Sequence, residues 1–187
     1  MPHKLPLGAI NKETGKYVQP RMASKQDQYI CPECKKELIL CQGKILVHHF
    51  RHKVDSNRPC YHYSNPTETQ IHKDAKELLK NLLERKIPIL FNRKCRCCKK
   101  TGEWEIPEIT ETSVIHLEYR FEYKGGTRIA DVAYIDDNEI VCIFEICNTH
   151  KTRNEDRPDP WFEIDAETLI KIANNNSLTS LQIPCIR

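Results

Sequence analysis

The chain lacks the N-terminal apolar stretch that opens a secretory leader, and no apolar run comes near the ~20 residues of a membrane span. Secreted and membrane-spanning classes are set aside on that ground. An intracellular location is expected: the cytoplasm, or the nucleus for a protein of a eukaryote or its virus. Internal repeats and long flexible linkers are also missing, which sets aside solenoid arrays and tethered modules. Nor is there a large excess of one charge: 29 Lys+Arg against 26 Asp+Glu leave a formal net charge of +3.

That near-neutral total hides an asymmetry. Residues 1–100 hold 21 Lys+Arg and 9 Asp+Glu, a balance of +12, whereas residues 101–187 hold 8 and 17, a balance of −9. A basic half beside an acidic half suits a polyanion held by the first and a cation site built in the second. With 187 residues the chain can bury a substantial core, as one α/β domain with a small appendage. Ten cysteines in an intracellular chain point to metal ligation or free thiols rather than a disulfide framework.

The stretch Thr127 to Cys147 reads as two strands joined by a tight turn: Arg128 to Ile135, then Asp136-Asp137-Asn138, then Glu139 to Cys147. The second run is almost wholly apolar and rich in β-branched and aromatic residues, as in a strand buried on both faces. Two carboxylates, Asp131 and Glu145, interrupt the apolar pattern. Burying an ionised carboxylate without a partner is costly. Either a divalent cation compensates the pair, since Mg²⁺ is held by one or two carboxylates plus waters and phosphates, or Arg128 and Lys151 do so as plain ion-pair partners.

Residues 29–63 form the second informative stretch. Cys31-Pro-Glu-Cys34 is a C-x2-C turn that lets two thiolates reach one Zn²⁺. A hairpin-like segment from Glu37 to Val47 follows, then His49 and His52, spaced H-x2-H. The expected ligand set is Cys31, Cys34, His49 and His52, with His48, Cys60 and His62 as rivals because His48-His49-Phe50-Arg51-His52 offers two registers. Cys41 reads as a small core residue. Four protein ligands close a tetrahedral site, so the zinc is expected to be structural. Lys35, Lys36, Lys44, Arg51, Lys53 and Arg58 surround it, either as phosphate contacts or as a solvated basic surface.

Asp131 before a hairpin and Glu145 on the next strand resemble the core of the PD-(D/E)XK nuclease superfamily, in which such a pair binds the metal and a Lys two residues after the Glu assists. Here Cys147 stands at the Lys position. With Cys31-Pro-Glu-Cys34, His49-Phe-Arg-His52, Cys60, the helical series Glu68, His72, Lys76, and Trp161 to Ala166 added, residues 29 to 170 resemble the competence protein CoiA-like family. That resemblance implies a small N-terminal zinc finger coupled to a PD-(D/E)XK-type core. It also implies that Glu68 supports or binds the metal, that Lys76 substitutes for the Lys missing at 147, and that His72 orients a phosphate or water.

The helix itself is expected from Pro66 to about Arg85, capped by Asn65 with Glu68 completing a capping box. Ile71, Ala75, Leu78, Leu79 and Leu82 supply its apolar stripe. Glu68, His72 and Lys76 lie along one line of its surface and are equally compatible with solvated helix. Lys86 to Asn92 reads as the first core strand. Cys95 and Cys98 form a second C-x2-C within a basic loop, with no clear second ligand pair downstream. Strands are expected at Glu105–Ile109, Ser113–Tyr123 and Trp161–Asp165, a short helix at Ala166–Ala173, and an edge strand in the tail from Leu178. His150 and Lys151 fall in a polar connection beside the acidic pair.

The expected architecture is therefore α/β. Residues 1–63 form a zinc-ribbon-like module, and residues 64–187 a restriction-endonuclease-like mixed sheet flanked by helices. The expected activity is hydrolysis of DNA phosphodiester bonds, with Mg²⁺ or Mn²⁺ on Asp131, Glu145 and the carbonyl of Ile146, Glu68 nearby, and Lys76 or Lys151 positioning the water. The alternative is a nuclease fold that has lost catalysis and acts as a zinc-dependent nucleic-acid-binding module, for which Cys147 speaks. A zinc-stabilised module that binds protein is a third possibility. Nucleic acid, DNA first, is the expected partner.

Overall fold

The computed structural model describes residues 5–44, 46–53, 59–95, 98, 100–148, 157–175 and 179–186. His150 and Lys151 lie outside the described residues, as do Arg58, Cys97 and Lys99.

Three short strands open the chain: β1 (Ala9–Asn11), β2 (Tyr17–Val18) and β3 (Tyr29–Ile30), in the order β2-β1-β3. A hairpin follows, β4 (Leu38–Cys41) with β5 (His49–His52), pairing Leu38 with His52 at one end and Cys41 with His49 at the other. Tyr29, Phe50 and Tyr63 pack at tilted angles into a small aromatic core between these pieces, with Phe50 4.9 Å from Tyr29 and 6.4 Å from Tyr63. This core joins a single buried cluster that also includes Leu78, Phe91, Phe144 and Phe162, so the N-terminal segment is packed on the rest of the molecule.

Helix α1 (Glu68–Glu84) starts two residues later than the expected Pro66. Thr67, not Asn65, is its cap, and the reciprocal bonds of the capping box run between Thr67 and Gln70. The reason is local: the Asn65 N–H bonds back to the Tyr61 carbonyl, which keeps Asn65 inside the preceding turn. The expected stripe Ile71, Ala75, Leu78, Leu79 and Leu82 is buried, joined by Leu83.

A seven-stranded mixed sheet follows: β6 (Ile89–Lys94), β7 (Thr101–Glu105), β8 (Val114–Tyr123), β9 (Gly126–Asp136), β10 (Glu139–Cys147), β11 (Trp161–Asp165) and β12 (Leu181–Cys185), with α2 (Ala166–Asn175) between the last two. The order is β7-β6-β12-β11-β10-β9-β8. The coarse expectation of an α/β protein built on a large mixed sheet with few helices is met. Two details differ. The tail strand β12 is interior, parallel to β6 and antiparallel to β11. The segment Glu105–Ile109 is strand only at its first residue, because β7 is set by its pairing to β6 and ends at Glu105.

The β9–β10 hairpin turns at Asp137-Asn138, both with positive φ (46° and 65°), the pair of left-handed residues that suits a two-residue hairpin loop. Side chains alternate along the sheet. Val132, Tyr134, Phe144, Ile146, Phe162 and Ile164 enter the main core beneath α1 and α2. Ala133, Ile135, Ile143 and Trp161 form a smaller cluster with Phe121.

The sheet forks at one place. Pairing of β9 with β10 runs as far as Val132 with Phe144. Beyond that point β9 stays with β8, while β10 continues beside β11 through Glu145–Glu163 to Cys147–Asp165. Extending the β9–β10 register by one residue sets Asp131 against Glu145 at the mouth of the fork.

Candidate functional site

Two sites emerge. The first lies where the β3–β4 turn, the end of β5 and the start of the α1 approach meet. Cys31, Cys34, His52 and Cys60 bring their ligand atoms within 4.8 Å of one another, with Cys34 Sγ 3.2 Å from His52 Nε2. The turn is shaped by the Cys31 N–H bonding the Lys36 carbonyl, the Lys35 N–H bonding the Cys31 carbonyl, and Lys35 adopting a positive φ of 59°. Three sulfurs and one imidazole nitrogen at this spacing fit tetrahedral zinc, for which Cys₃His is an established set. Burial pushes the Cys31 thiol up to about 12, a cost that a bound cation removes by stabilising the thiolate. Burial also lowers His52, which keeps the imidazole neutral as ligation requires.

This set corrects the expected ligands at one position: Cys60 is in the cluster and His49 is not. His49 and His52 are three residues apart on β5, which puts them about 10 Å apart along the strand and on opposite faces. An H-x2-H pair converges on one ion from a helix but not from a strand. The His49 ring bonds the Val47 carbonyl at 2.9 Å instead. His48 is not in the cluster either, and His62 is buried beside it without joining it.

The second site is the fork. Asp131 Oδ2 accepts the Ile146 backbone N–H at 2.8 Å, a donor that strand separation leaves available. His72 Nε2 lies 3.2 Å from the same oxygen and 3.0 Å from the Ile146 carbonyl. Both partners are acceptors, so Nε2 must carry the proton and share it between them. Lys76, one helical turn on, places Nζ 3.6 Å from Asp131 Oδ1 and 2.8 Å from Glu118. The Lys76 side chain is only 8% exposed, so an ammonium group is held inside the fork by two carboxylates. Burial opposes the charge on Asp131, but the His72 bond and the Ile146 N–H outweigh it and hold its carboxyl below the usual range. The bond from Asp131 in turn raises His72.

Glu145 sits deeper. Its side chain is 7% exposed, and Arg157 Nε donates to it at 2.6 Å. Burial pushes Glu145 up to about 7, with Arg157 opposing and the nearby Asp131 and Glu163 adding to the rise. Glu163, fully buried, is its direct neighbour on β11. Glu163 and Arg157 were not anticipated from the sequence. Glu163 interrupts the apolar run Trp161-Phe-Glu-Ile in the same way that flagged Glu145, so its signal was present.

Of the expected catalytic residues, Lys76 reaches Asp131, His72 joins Asp131 to the Ile146 carbonyl, and Glu145 pairs with Arg157. Glu68 is exposed at the first position of α1, one turn before His72. Cys147, at the position of the usual Lys, is buried. Among the described residues, Cys31/Cys34/His52/Cys60 is the group of three or more ligands gathered closely enough for a metal; Asp131 and Glu145 belong to no such group. Cys95 and Cys98 are exposed and enter no such group. No helix among the described residues is long and apolar enough to cross a membrane.

The fold and the four-ligand cluster define an α/β protein whose N-terminal Cys/His group could hold a metal such as zinc. Residues 14–61 match the family model described as competence protein CoiA, N-terminal domain. The match contains Cys31, Cys34, His52 and Cys60 and ends before α1, so the chain is CoiA-like through its N-terminal module. Druantia protein DruB of Escherichia coli (strain UMEA 4076-1) is 22% identical over 161 residues, covering 85% of this chain and 28% of that protein. The chain thus spans little more than a quarter of the length of that relative. No solved structure matches the chain.

Proposed function

We propose that this protein is a metal-dependent nuclease hydrolysing DNA phosphodiester bonds on a restriction-endonuclease-like core, with the zinc module helping to hold the nucleic acid. One observation supports the reading: a buried lysine from α1 reaches Asp131 where β9 parts from β10, and Glu145 is the next residue along that register. An ordinary hairpin has no need of such a group, and assembling it brings α1 onto a hairpin far along the chain, with His72 and Asp131 59 residues apart. The CoiA-like module supports a role on nucleic acid.

Asp131, Glu145 and the Ile146 carbonyl offer hard oxygen donors suited to Mg²⁺ or Mn²⁺. Positive groups already stand at these oxygens: the Arg157 guanidinium on Glu145, and the His72 N–H between Asp131 and the Ile146 carbonyl. A divalent ion held by these oxygens would supply charge stabilisation and an acidified water. Lys76 fills the part of the lysine absent at 147, orienting the water and the phosphate through its ammonium group. His72 holds Asp131 in place and carries a proton at Nε2 within reach of a phosphate oxygen. A cation at Glu145 would replace the Arg157 contact there, and Arg157 would then be available to a phosphate. Lys151 remains a further lysine candidate, and Glu68 a peripheral acid.

The second reading is a nucleic-acid-binding protein with a degenerate core. The Arg157–Glu145 pair and Cys147 favour it, because an internal guanidinium neutralises the site without a metal. Incubation with single-stranded, duplex and branched DNA in Mg²⁺ or Mn²⁺ separates the two. The proposal predicts cleavage lost in Asp131→Asn and Glu145→Gln proteins of unchanged zinc content and melting. Salt-sensitive binding with no cleavage on any substrate sinks it and leaves the second reading.

A further inference from the structure

The two carboxylates that hold Lys76 differ in freedom. Asp131 lies 3.6 Å from the ammonium group, and its side chain is tied down by the Ile146 N–H and by His72. Glu118 makes the shorter contact, 2.8 Å, yet its side chain is 69% exposed. The lysine between them is buried against the body of α1. Of the three groups, Glu118 is the one that can swing into water at little cost.

The strand is bent to make that contact. β8 pairs with β9 as Leu117 with Val132 and Tyr119 with Ala130, which sets Glu118 opposite Asp131. Glu118 has a φ of 51°, a left-handed conformation that a residue with a Cβ adopts at a cost. Ile115 and Leu117 before it pack into the main core, whereas Tyr119 and Phe121 after it pack into the smaller cluster. The strand therefore changes face at Glu118, and the Glu118 side chain is turned onto Lys76 of α1. Strain kept opposite a fork carboxylate marks a position with a task beyond sheet pairing.

To an ammonium group, a carboxylate and a phosphodiester oxygen are equivalent partners: both are anionic acceptors of a charge-assisted bond. The bond from Lys76 holds the Glu118 carboxyl below its usual range, so this partner is ionised at neutral pH. A phosphate arriving at Lys76 meets that negative charge on the same ammonium group and is repelled until it leaves. We infer that Glu118 stands in for the substrate phosphate, holding the Lys76 ammonium in the free protein and yielding it to a phosphate oxygen of the nucleic acid while Asp131 keeps the lysine in place. Without an incoming anion the exchange is costly, because it strips a buried ammonium of its nearest counter-charge. The inference rests on the nucleic-acid reading above and names the seat that one phosphate of the strand takes.

The test is fluorescence anisotropy with a labelled oligo-dT, in Ca²⁺ in place of Mg²⁺, on proteins matched in zinc content and melting. Glu118→Gln should bind about fivefold more tightly than wild type. Glu118→Asp keeps the charge but falls one methylene short of Lys76, and should gain nearly as much. In a Lys76→Met background, Glu118→Gln should change affinity by less than about twofold. An equal gain in both backgrounds, or wild-type affinity in Glu118→Asp, makes the effect one of overall charge and overturns the inference. So does an unchanged or weaker affinity in Glu118→Gln. The expected gains without cleavage of any DNA in Mg²⁺ or Mn²⁺ would sink the nuclease reading and leave the role of Glu118 supported. Failure of all these proteins to bind contradicts the nucleic-acid reading, and the role of Glu118 falls with it.

Discussion

Removing Cys60 should release zinc, whereas removing His49 should not. A tetrahedral Cys₃His site needs ligand atoms roughly 3.5–4 Å apart given zinc–sulfur bonds of about 2.3 Å. Cys31, Cys34, His52 and Cys60 come close to that demand, all within 4.8 Å of one another, while His49 is about 10 Å along β5 from His52. Structural zinc contributes about 10–16 kcal/mol of binding free energy in small modules. Shared over four ligands, that is about 2.5–4 kcal/mol each, or on the order of 10²–10³ in zinc affinity. Because the aromatic core of Tyr29, Phe50 and Tyr63 is continuous with the main cluster, release should also loosen the packing on α1. The assay is zinc stoichiometry after dialysis against a weak chelator, read beside thermal melting. Cys60→Ala and His52→Ala should fall toward zero zinc and melt earlier, while His49→Ala should keep one zinc per chain and melt near wild type. Zinc loss from His49→Ala with retention in Cys60→Ala would refute the strand-geometry reasoning.

Asp74 is buried on α1, accepts the Gly8 N–H and the Tyr17 hydroxyl, and is pushed by burial up to about 7. Because this folded-state value lies above the unfolded one near 3.9, stability should fall as pH rises from about 4 to about 7 and then level. Asp74→Asn should flatten that slope in urea denaturation, and an unchanged slope would argue against it. Lys76→Met keeps the side-chain volume and leaves His72 and Ile146 on Asp131, so cleavage should fall at least a hundredfold with melting little changed; Glu68→Ala, at an exposed position, should lower cleavage far less. Arg157→Ala leaves the buried Glu145–Glu163 neighbours without that guanidinium and should cost about 3–5 kcal/mol at neutral pH. Added Mn²⁺ should raise the melting temperature of this variant more than that of wild type; equal shifts would count against a cation seat at Glu145.

Legibility in the sequence followed the range of the interactions involved. The β9–β10 hairpin was readable because its signals are local: a turn at Asp137-Asn138 and two apolar runs interrupted by single carboxylates. The stripe of α1 was readable for the same reason, while its cap shifted to Thr67 because the preceding turn claimed Asn65. The interior position of β12 was hidden, since its pairing with β6 joins residues about ninety positions apart and its own pattern, buried Leu181 and Ile183 alternating with exposed neighbours, looks like an edge. The choice between His49 and Cys60 turned on whether His49–His52 is strand or helix, which spacing alone does not specify. Arg157 carried no sequence signal, because it is one of several charged residues in the connection between β10 and β11 and nothing in its spacing marks Glu145, twelve residues before it, as its partner.

The most direct measurement is an electron paramagnetic resonance titration of zinc-loaded protein with Mn²⁺, comparing wild type with Glu145→Gln and Asp131→Asn. The account predicts one Mn²⁺ bound per wild-type chain and none in either variant, with cleavage appearing over the same Mn²⁺ range. Wild-type protein that binds no Mn²⁺, or binds it equally well without Asp131 and Glu145, would contradict the claim that the fork is a catalytic cation site.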